Sequence, residues 1–407
     1  MQGFPEIGEV IKASVRLCRR EARAEEERYG RMPPCRKMAP LSPPLRLDEY
    51  FMMERDEGKY LCYWAAVCHA MRDLIGSKTT DANQLTCLVL GAGLGRLVTY
   101  CLDAANLCAI SMVTVHVIDA NPTAVEFLRE TFKDNSKHVI VHDPLAVYPL
   151  MGVAELPAGL QAIHKSCDLV VSELLGCFGD DEFLPELTNT IVRLFLSADG
   201  MVIPDHWTIY CAPIQSHDTH DYLSNKPSPQ LESTYTMSLP KDCVFITTLL
   251  PIYSTDYHCP SLTEYTSSVD CLVSPYMVQC CHTSAQPIDK ITGDKRRGPD
   301  EHQTYVIHGL IGYFVASLYK HKILVDSRHT SHERNVFHWE CFYMPLKQSL
   351  LVAVGDQVRV EVSRQCRETC NEQDKWLELN YNWHISANNV TKGNHGNIIT
   401  LHATRTL

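Results

Sequence analysis

The sequence predicts an α/β domain built on a parallel sheet, followed by an antiparallel β-barrel-like domain, and three observations lead there. Strand-like apolar runs alternate with helix-period segments between about residues 87 and 204. A glycine-rich turn, Gly91-Ala-Gly-Leu-Gly95, separates the first of these strands from its helix. Beyond about His206 the helical period gives way to short β-branched and aromatic runs divided by polar and proline-containing loops.

With 407 residues the chain is too long for one core, so two domains plus extensions are expected. The expected division is 1–46 as a charged extension and proline-rich linker, 47–205 as the parallel α/β domain, and 206–407 as the β domain. Hydrophobic residues make up 45% and charged ones 21%, which fits a globular protein rather than a disordered one. No apolar run is long enough to cross a bilayer, and the first residues lack the regions of a signal peptide. Eighteen cysteines include no Cys-x-x-Cys pair. Reduced, mostly buried thiols are expected, with no metal centre and a cytoplasmic, or also nuclear, location. The net charge of −11 argues against direct nucleic-acid binding and suits attraction of a basic peptide.

Residues 6–28 mix arginines and glutamates at helical spacing and read as an exposed helix. The prolines between 33 and 44 read as an extended linker. From 48 to about 75, Tyr60, Tyr63, Trp64, Val67 and Met71 recur at helical spacing. Strands are expected at 87–90, 113–118, 139–141 and 168–172, with an edge strand near 200–204, and helices at 97–107, 124–132 and 187–196. In the β domain, strands are expected at 207–211, 243–250, 306–314, 323–325 and 358–362, with flexible loops at 224–238 and 287–302.

The chemistry gathers where the expected strands end. The glycine turn reads G-x-G-x-G, with Arg96 where a dinucleotide fingerprint has its third glycine, so a pyrophosphate is not the ligand it suggests. Asp119 follows the second strand, placed to accept hydrogen bonds from ribose hydroxyls, and Asp143 follows the third, placed to meet an adenine amino group. The three features together are a signature of S-adenosyl-L-methionine binding in a Rossmann-like domain. The fourth strand leads into Ser172-Glu-Leu-Leu-Gly-Cys-Phe-Gly-Asp-Asp-Glu182. Gly176, near the middle, is expected to fold the backbone back so that Glu173 and Glu182 face each other. Two facing carboxylates match the donor fork of a guanidinium.

These three segments, Val89-Leu-Gly-Ala-Gly-Leu-Gly95, Val117-Ile-Asp-Ala-Asn-Pro122 and the double-glutamate loop, resemble protein arginine methyltransferases, in particular the protein arginine N-methyltransferase 5 (symmetric, type II) family. His308-Gly-Leu-Ile-Gly-Tyr-Phe314 and Phe337-His-Trp339 extend the similarity, which runs from about residue 41 to the C-terminus. The resemblance implies that Tyr50, Lys59 and Tyr60 contact the cofactor and that Gly91 and Gly93 line its methionyl end. It also implies that Asp119 takes the ribose, that Asp143 and Pro144 flank the adenine, and that Glu173 and Glu182 are the catalytic pair. Trp339 is implied to pack against the incoming arginine side chain. Met53 and His338 stand where the symmetric enzymes have phenylalanine and serine, and both resemble the asymmetric (type I) enzymes. The expected products are monomethylarginine and symmetric dimethylarginine, with the asymmetric product left open by those two residues.

By resemblance the substrates are arginine/glycine-rich segments of histone tails or RNA-binding proteins. A homodimer through the two domains is expected. The resemblance also implies an N-terminal barrel, which binds a β-propeller partner in animals; a stretch of about forty residues rich in charge is read in its place, from loss of the domain or from an incomplete gene model. That partner is therefore not expected. Two other readings stand beside this one: a small-molecule methyltransferase with the same cofactor domain, and an inactive module that only grips arginine-rich tails.

Overall fold

The computed structural model describes residues 6–10, 12–13, 15–17, 20, 36–37, 45–77, 83–143, 156, 158–225, 230–256, 264–277, 286–287, 303–328, 336–370, 375–388, 390–395 and 399–402. Five strands form a parallel sheet: β1 (Gln84–Leu90), β2 (Met112–Ile118), β3 (Val139–Val141), β4 (Cys167–Ser172) and β5 (Leu196–Ile203). Their spatial order is β3-β2-β1-β4-β5. The central strand β1 is flanked by layers on both faces, so Cys87, Leu88, Val89 and Leu90 are all buried and the strand reads as one apolar run. Leu90 lies opposite Ile118 on one side and Ser172 on the other, so three strands end at the same level. The strand order reverses between β1 and β4, and that reversal opens the crevice where such sheets bind ligands.

Helices α1 (Leu47–Met53) and α2 (Glu57–Ser77) precede the sheet, and α3 (Arg96–Leu107), α4 (Pro122–Thr131) and α5 (Leu184–Phe195) follow β1, β2 and the double-glutamate loop. Helix α2 buries Tyr63, Val67, Met71 and Leu74 at the spacing of one face. Asp56 caps it, its carboxylate accepting from the Lys59 N–H at 2.9 Å. Asn121 caps α4 by accepting from Thr123 N–H at 3.0 Å, with Pro122 at the first helical position.

The second half is antiparallel. A ten-stranded sheet centres on β6 (His206–Gln215), β7 (Thr304–Tyr319) and β8 (Cys341–Ala353), with Ile311 opposite both Ala212 and Tyr343. A five-stranded sheet centres on β9 (Gln357–Cys370) and β10 (Lys375–Ala387), paired from Val358–Ala387 to Cys370–Lys375. The two sheets are tied by Trp383, whose indole N–H donates to the Pro345 carbonyl at 2.9 Å. One hydrophobic core runs from α2 through the parallel sheet into both antiparallel sheets.

Some expectations need correction. Residues 224–238, expected as a flexible loop, contain a helical turn (Gln230–Glu232) and a strand (Tyr235–Met237) whose Tyr235 and Met237 are buried against β8. The strand expected at 243–250 is two pieces, Val244–Phe245 and Leu250–Asp256. Of the charged stretch expected as an exposed helix, the described residues 7–10, 12–13, 15–17 and 20 are helical, and Val10 is buried in the core. The proline-rich linker lies outside the described residues except for Arg36–Lys37, which pair with Tyr235 and Thr236. Beyond Pro287, the second expected loop also lies outside them.

Candidate active site

The glycine turn is built on left-handed backbone. Gly91, Gly93 and Gly95 have φ of +67°, +53° and +94°, conformations that side chains with a Cβ rarely adopt. A Cβ on Gly93 would come within 3.2 Å of the Tyr50 ring, so α1 lies directly over the turn. Asp119, at the end of β2, is only 6% exposed. Its carboxylate accepts from Gly93 N–H at 2.9 Å and Asn121 N–H at 2.8 Å, which fixes it beneath the loop. Burial pushes its pKa up, and these backbone donors oppose the rise. Asn121 in turn donates to the Leu45 carbonyl at 2.7 Å and to the Tyr50 hydroxyl at 3.2 Å. The Tyr50 phenol is pushed up to about 12 by burial and then by the charge of Asp119.

Arg96, where the third glycine of a fingerprint would stand, opens α3. Its guanidinium donates to the Glu54 carbonyl at 2.7 Å, to the Glu57 carboxylate and to the Tyr100 hydroxyl at 3.0 Å, and lies 4.3 Å from the Tyr60 ring centroid. The residue thereby fastens the α1–α2 corner to the glycine turn.

Past β4 the chain makes a tight hairpin, with Gly179 N–H donating to the Gly176 carbonyl at 3.0 Å. The left-handed residue of this turn is Gly179, φ +87°, rather than Gly176. Gly176 is required for a different reason: a Cβ there would lie 2.3 Å from the Asp181 carboxylate, which accepts from Phe178 N–H at 2.7 Å. The hairpin returns Glu182 toward Glu173, and the charge of Glu173 is one cause of the raised pKa of Glu182. Burial is the largest cause and Asp181 the next, and together they lift Glu182 to about 8, against the pull of Lys59.

Lys59, fully buried, places its Nζ 3.4 Å from Glu173 Oε2, 4.8 Å from the Tyr60 ring and 5.0 Å from the Trp339 ring. Trp339 donates from its indole N–H to the Leu175 carbonyl at 2.6 Å, so this wall of the site is bonded to the double-glutamate loop itself. Asp56 accepts from the backbone N–H groups of Phe337 and His338, both at 2.9 Å, and so ties the start of α2 to the segment carrying Trp339. Burial and the nearby Lys59 hold the His338 imidazole well below its usual pKa, neutral at pH 7. Met53 is half-buried at the last turn of α1.

The structure thus brings Tyr50, Gly93 and Asp119 together at the glycine turn, and Lys59, Tyr60, Glu173, Glu182 and Trp339 at the double-glutamate loop. Gly91 lies between the groups, its would-be Cβ 2.9 Å from the Leu174 side chain. Asp143 is exposed and paired with Arg129 at 2.5 Å. Pro144 lies outside the described residues. Sequence reasoning missed Asp56 and Tyr63, whose hydroxyl donates to the Ser172 carbonyl at 3.0 Å beneath the first glutamate. The placement of Asp56 just before a helix-period run was the available signal for its capping role.

A parallel sheet with a glycine turn at its reversal point is the architecture of Rossmann-like S-adenosylmethionine-dependent methyltransferase domains, and here an antiparallel β domain follows it. The chain belongs to the protein arginine N-methyltransferase 5 family: residues 27–203 match the PRMT5 arginine-N-methyltransferase domain and residues 206–406 the PRMT5 oligomerisation domain. It is 28% identical over 354 residues to protein arginine N-methyltransferase 5 of Oryza sativa subsp. indica, covering 86% of this chain and 47% of that protein. To the Xenopus laevis protein of the same name it is 29% identical over 349 residues, 84% of this chain and 48% of that one. The chain spans about half the length of the curated relatives it matches. Among solved structures, the Trypanosoma brucei PRMT1 enzyme-prozyme heterotetrameric complex with AdoHcy shares the fold, with a TM-score of 0.60 at 14% identity, covering 86% of this chain and 99% of that one.

Proposed function

We propose that this chain is a protein-arginine N-methyltransferase that transfers the methyl group of S-adenosyl-L-methionine to guanidinium nitrogens of arginine in proteins. The observation that carries this reading is the double-glutamate hairpin, which opens on the crevice beside the glycine turn and is closed on its other side by Trp339. The crevice fits the cofactor: three glycines keep side chains off the turn, and Asp119 is held at the strand end where a ribose binds. When bound, S-adenosyl-L-methionine supplies an activated methyl on a sulfonium. Tyr50, Lys59, Tyr60, Gly91, Gly93 and Asp119 would hold it, with Gly91 and Gly93 at the methionyl end.

An arginine guanidinium keeps its charge at neutral pH, so its nitrogens are poor nucleophiles. Glu173 and Glu182 grip the head group and draw positive charge toward the nitrogens they touch, which leaves lone-pair character on the nitrogen facing the methyl. Fixing that geometry is worth several kcal/mol, up to about 7–11 in well-aligned cases. Methylating a guanidinium also releases one proton. Glu182, ionised once the guanidinium is bound beside it, is placed to take it.

The substrates proposed are arginine/glycine-rich protein segments, drawn by the net charge of −11. Symmetric dimethylarginine is the proposed final product, with Met53 and His338 favouring the asymmetric alternative. The match to the family's oligomerisation domain supports self-association. Incubation with radiolabelled S-adenosyl-L-methionine and a Gly/Arg-rich peptide should label the peptide, and Glu173→Gln should reduce the rate by at least about 10²-fold. Near-normal turnover by Glu173→Gln would overturn the mechanism, and neutral losses in mass spectrometry of the product distinguish the two dimethylarginines.

A further inference from the structure

We propose that Arg364, on β9 of the C-terminal sheet, is a positioning residue for methyl transfer, holding Glu182 in place by gripping the double-glutamate loop from behind. The proposal rests on the functional reading above. Arg364 is 178 positions from Glu186 in sequence, yet its guanidinium meets that carboxylate through both forks, at 2.7 and 2.9 Å. The same group donates to the Asp180 carbonyl at 3.1 Å and lies 3.2 Å from the Asp180 carboxylate. Tyr381, opposite Arg364 on β10, donates its hydroxyl to Asp180 at 2.6 Å. Arg364, Asp180 and Glu186 are all buried, so this grip is shielded from solvent and salt.

The brace holds the chain on both sides of Glu182, at Asp180 and at Glu186 in the first turn of α5. Between those anchors Phe183 keeps a left-handed backbone, φ +62°, which a non-glycine residue adopts only where its surroundings impose it. Apolar packing adds to the hold. The Phe178 ring stacks on Phe342 at 4.7 Å and meets Tyr381 edge-on at 5.6 Å. Gly312 leaves room for that ring, since a Cβ there would lie 2.4 Å from it. The loop therefore carries acids facing two ways. Glu173 and Glu182 face the crevice, and Asp180 and Glu186 face an internal guanidinium. A shift of about 1 Å in Glu182 is enough to cost on the order of 10²-fold in rate.

The test compares Tyr381→Phe, Arg364→Lys and Arg364→Met in the full chain. Each is assayed for kcat and KM on a Gly/Arg-rich peptide, for S-adenosylhomocysteine affinity by calorimetry, and for amide exchange of residues 176–183. Tyr381→Phe, which removes one hydroxyl, should lower kcat several-fold, and Arg364→Met by about 10²-fold. Arg364→Lys, which keeps the charge without the fork, should fall between them. Nucleoside affinity should stay within about twofold, because the glycine turn is untouched. Exchange at 176–183 should quicken in the same order. If Arg364→Met fails to fold, Tyr381→Phe and Arg364→Lys carry the comparison. Wild-type kcat and loop exchange in those two variants would overturn the proposal, as would a parallel loss of kcat and nucleoside affinity. Should the unsubstituted protein methylate no arginine peptide, the functional reading fails instead, and the brace is then judged on loop exchange alone.

Discussion

Binding of an arginine side chain should expel a proton from Glu182, and the amount follows from its surroundings. Burial, Asp181 and Glu173 lift the Glu182 pKa to about 8, so in the free protein at pH 7 its protonated form exceeds the ionised form by about ten to one. A guanidinium entering between Glu173 and Glu182 favours the ionised carboxylate, which lowers the pKa in the complex. The sign is therefore fixed: binding releases protons, and affinity rises with pH until the pH passes the free-protein pKa. The release should be about 0.9 proton at pH 7, about 0.5 at pH 8 and about 0.1 at pH 9. Between pH 6 and 9 the dissociation constant should fall by about two orders of magnitude, with little further change above pH 9. Isothermal titration of a Gly/Arg-rich peptide into the S-adenosylhomocysteine complex, in buffers of different ionisation heat at one pH, counts the protons directly. Glu182→Gln should abolish the release. A wild-type release near zero across this range would refute both the placement of Glu182 and the clamp it is proposed to form.

Three further outcomes follow from the geometry. Asp181 is fully buried and its pKa is pushed up to about 7, chiefly by burial. Its folded value exceeds the unfolded one, so the cost of ionising it grows from about pH 4 to about pH 7 and reaches about 4 kcal/mol above that. Asp181→Asn should therefore stabilise the protein more at pH 8 than at pH 5 in urea unfolding, and a pH-independent effect would contradict this. Trp339→Phe deletes the hydrogen bond to the Leu175 carbonyl, worth about 1 kcal/mol, and should lower kcat/KM for peptide by about fivefold while leaving nucleoside affinity unchanged. Gly93→Ala places a methyl against Tyr50 on left-handed backbone, at a cost of about 1–2 kcal/mol, and should weaken S-adenosylhomocysteine binding by about five- to thirtyfold in calorimetry.

The parts of this molecule that could be read from sequence are those whose causes are local. Strands β1, β2 and β4 are apolar because both faces are covered, and each is followed directly by the residue that matters: Gly91, Asp119 or Glu173. The pairing of Glu173 with Glu182 needed only one hairpin, although the turn glycine was Gly179 and not the expected Gly176. What could not be read depends on distant partners. Tyr235–Met237 is too short to show alternation and is a strand because Cys341–Tyr343 pairs with it from a hundred residues away. Strand β8 went unseen because Pro345 and Lys347 interrupt its pattern, and β10 because Asn380, Asn382 and His384 do. Arg364 resembles any polar residue of an exposed strand until Asp180, Glu186 and Tyr381 are folded around it.

The seat that Gly312, Phe342 and Tyr381 make for Phe178 bears on how this molecule can be taken apart. A fragment ending after β5 would keep every residue proposed to hold the methyl donor, yet it would leave a large aromatic ring uncovered and two acids with no counter-ion. Such a fragment should retain a nucleoside cleft without a competent acceptor clamp. Donor recognition and acceptor recognition are thus separable by scissors in one direction only, and substitutions far down the chain can retune turnover without touching either ligand.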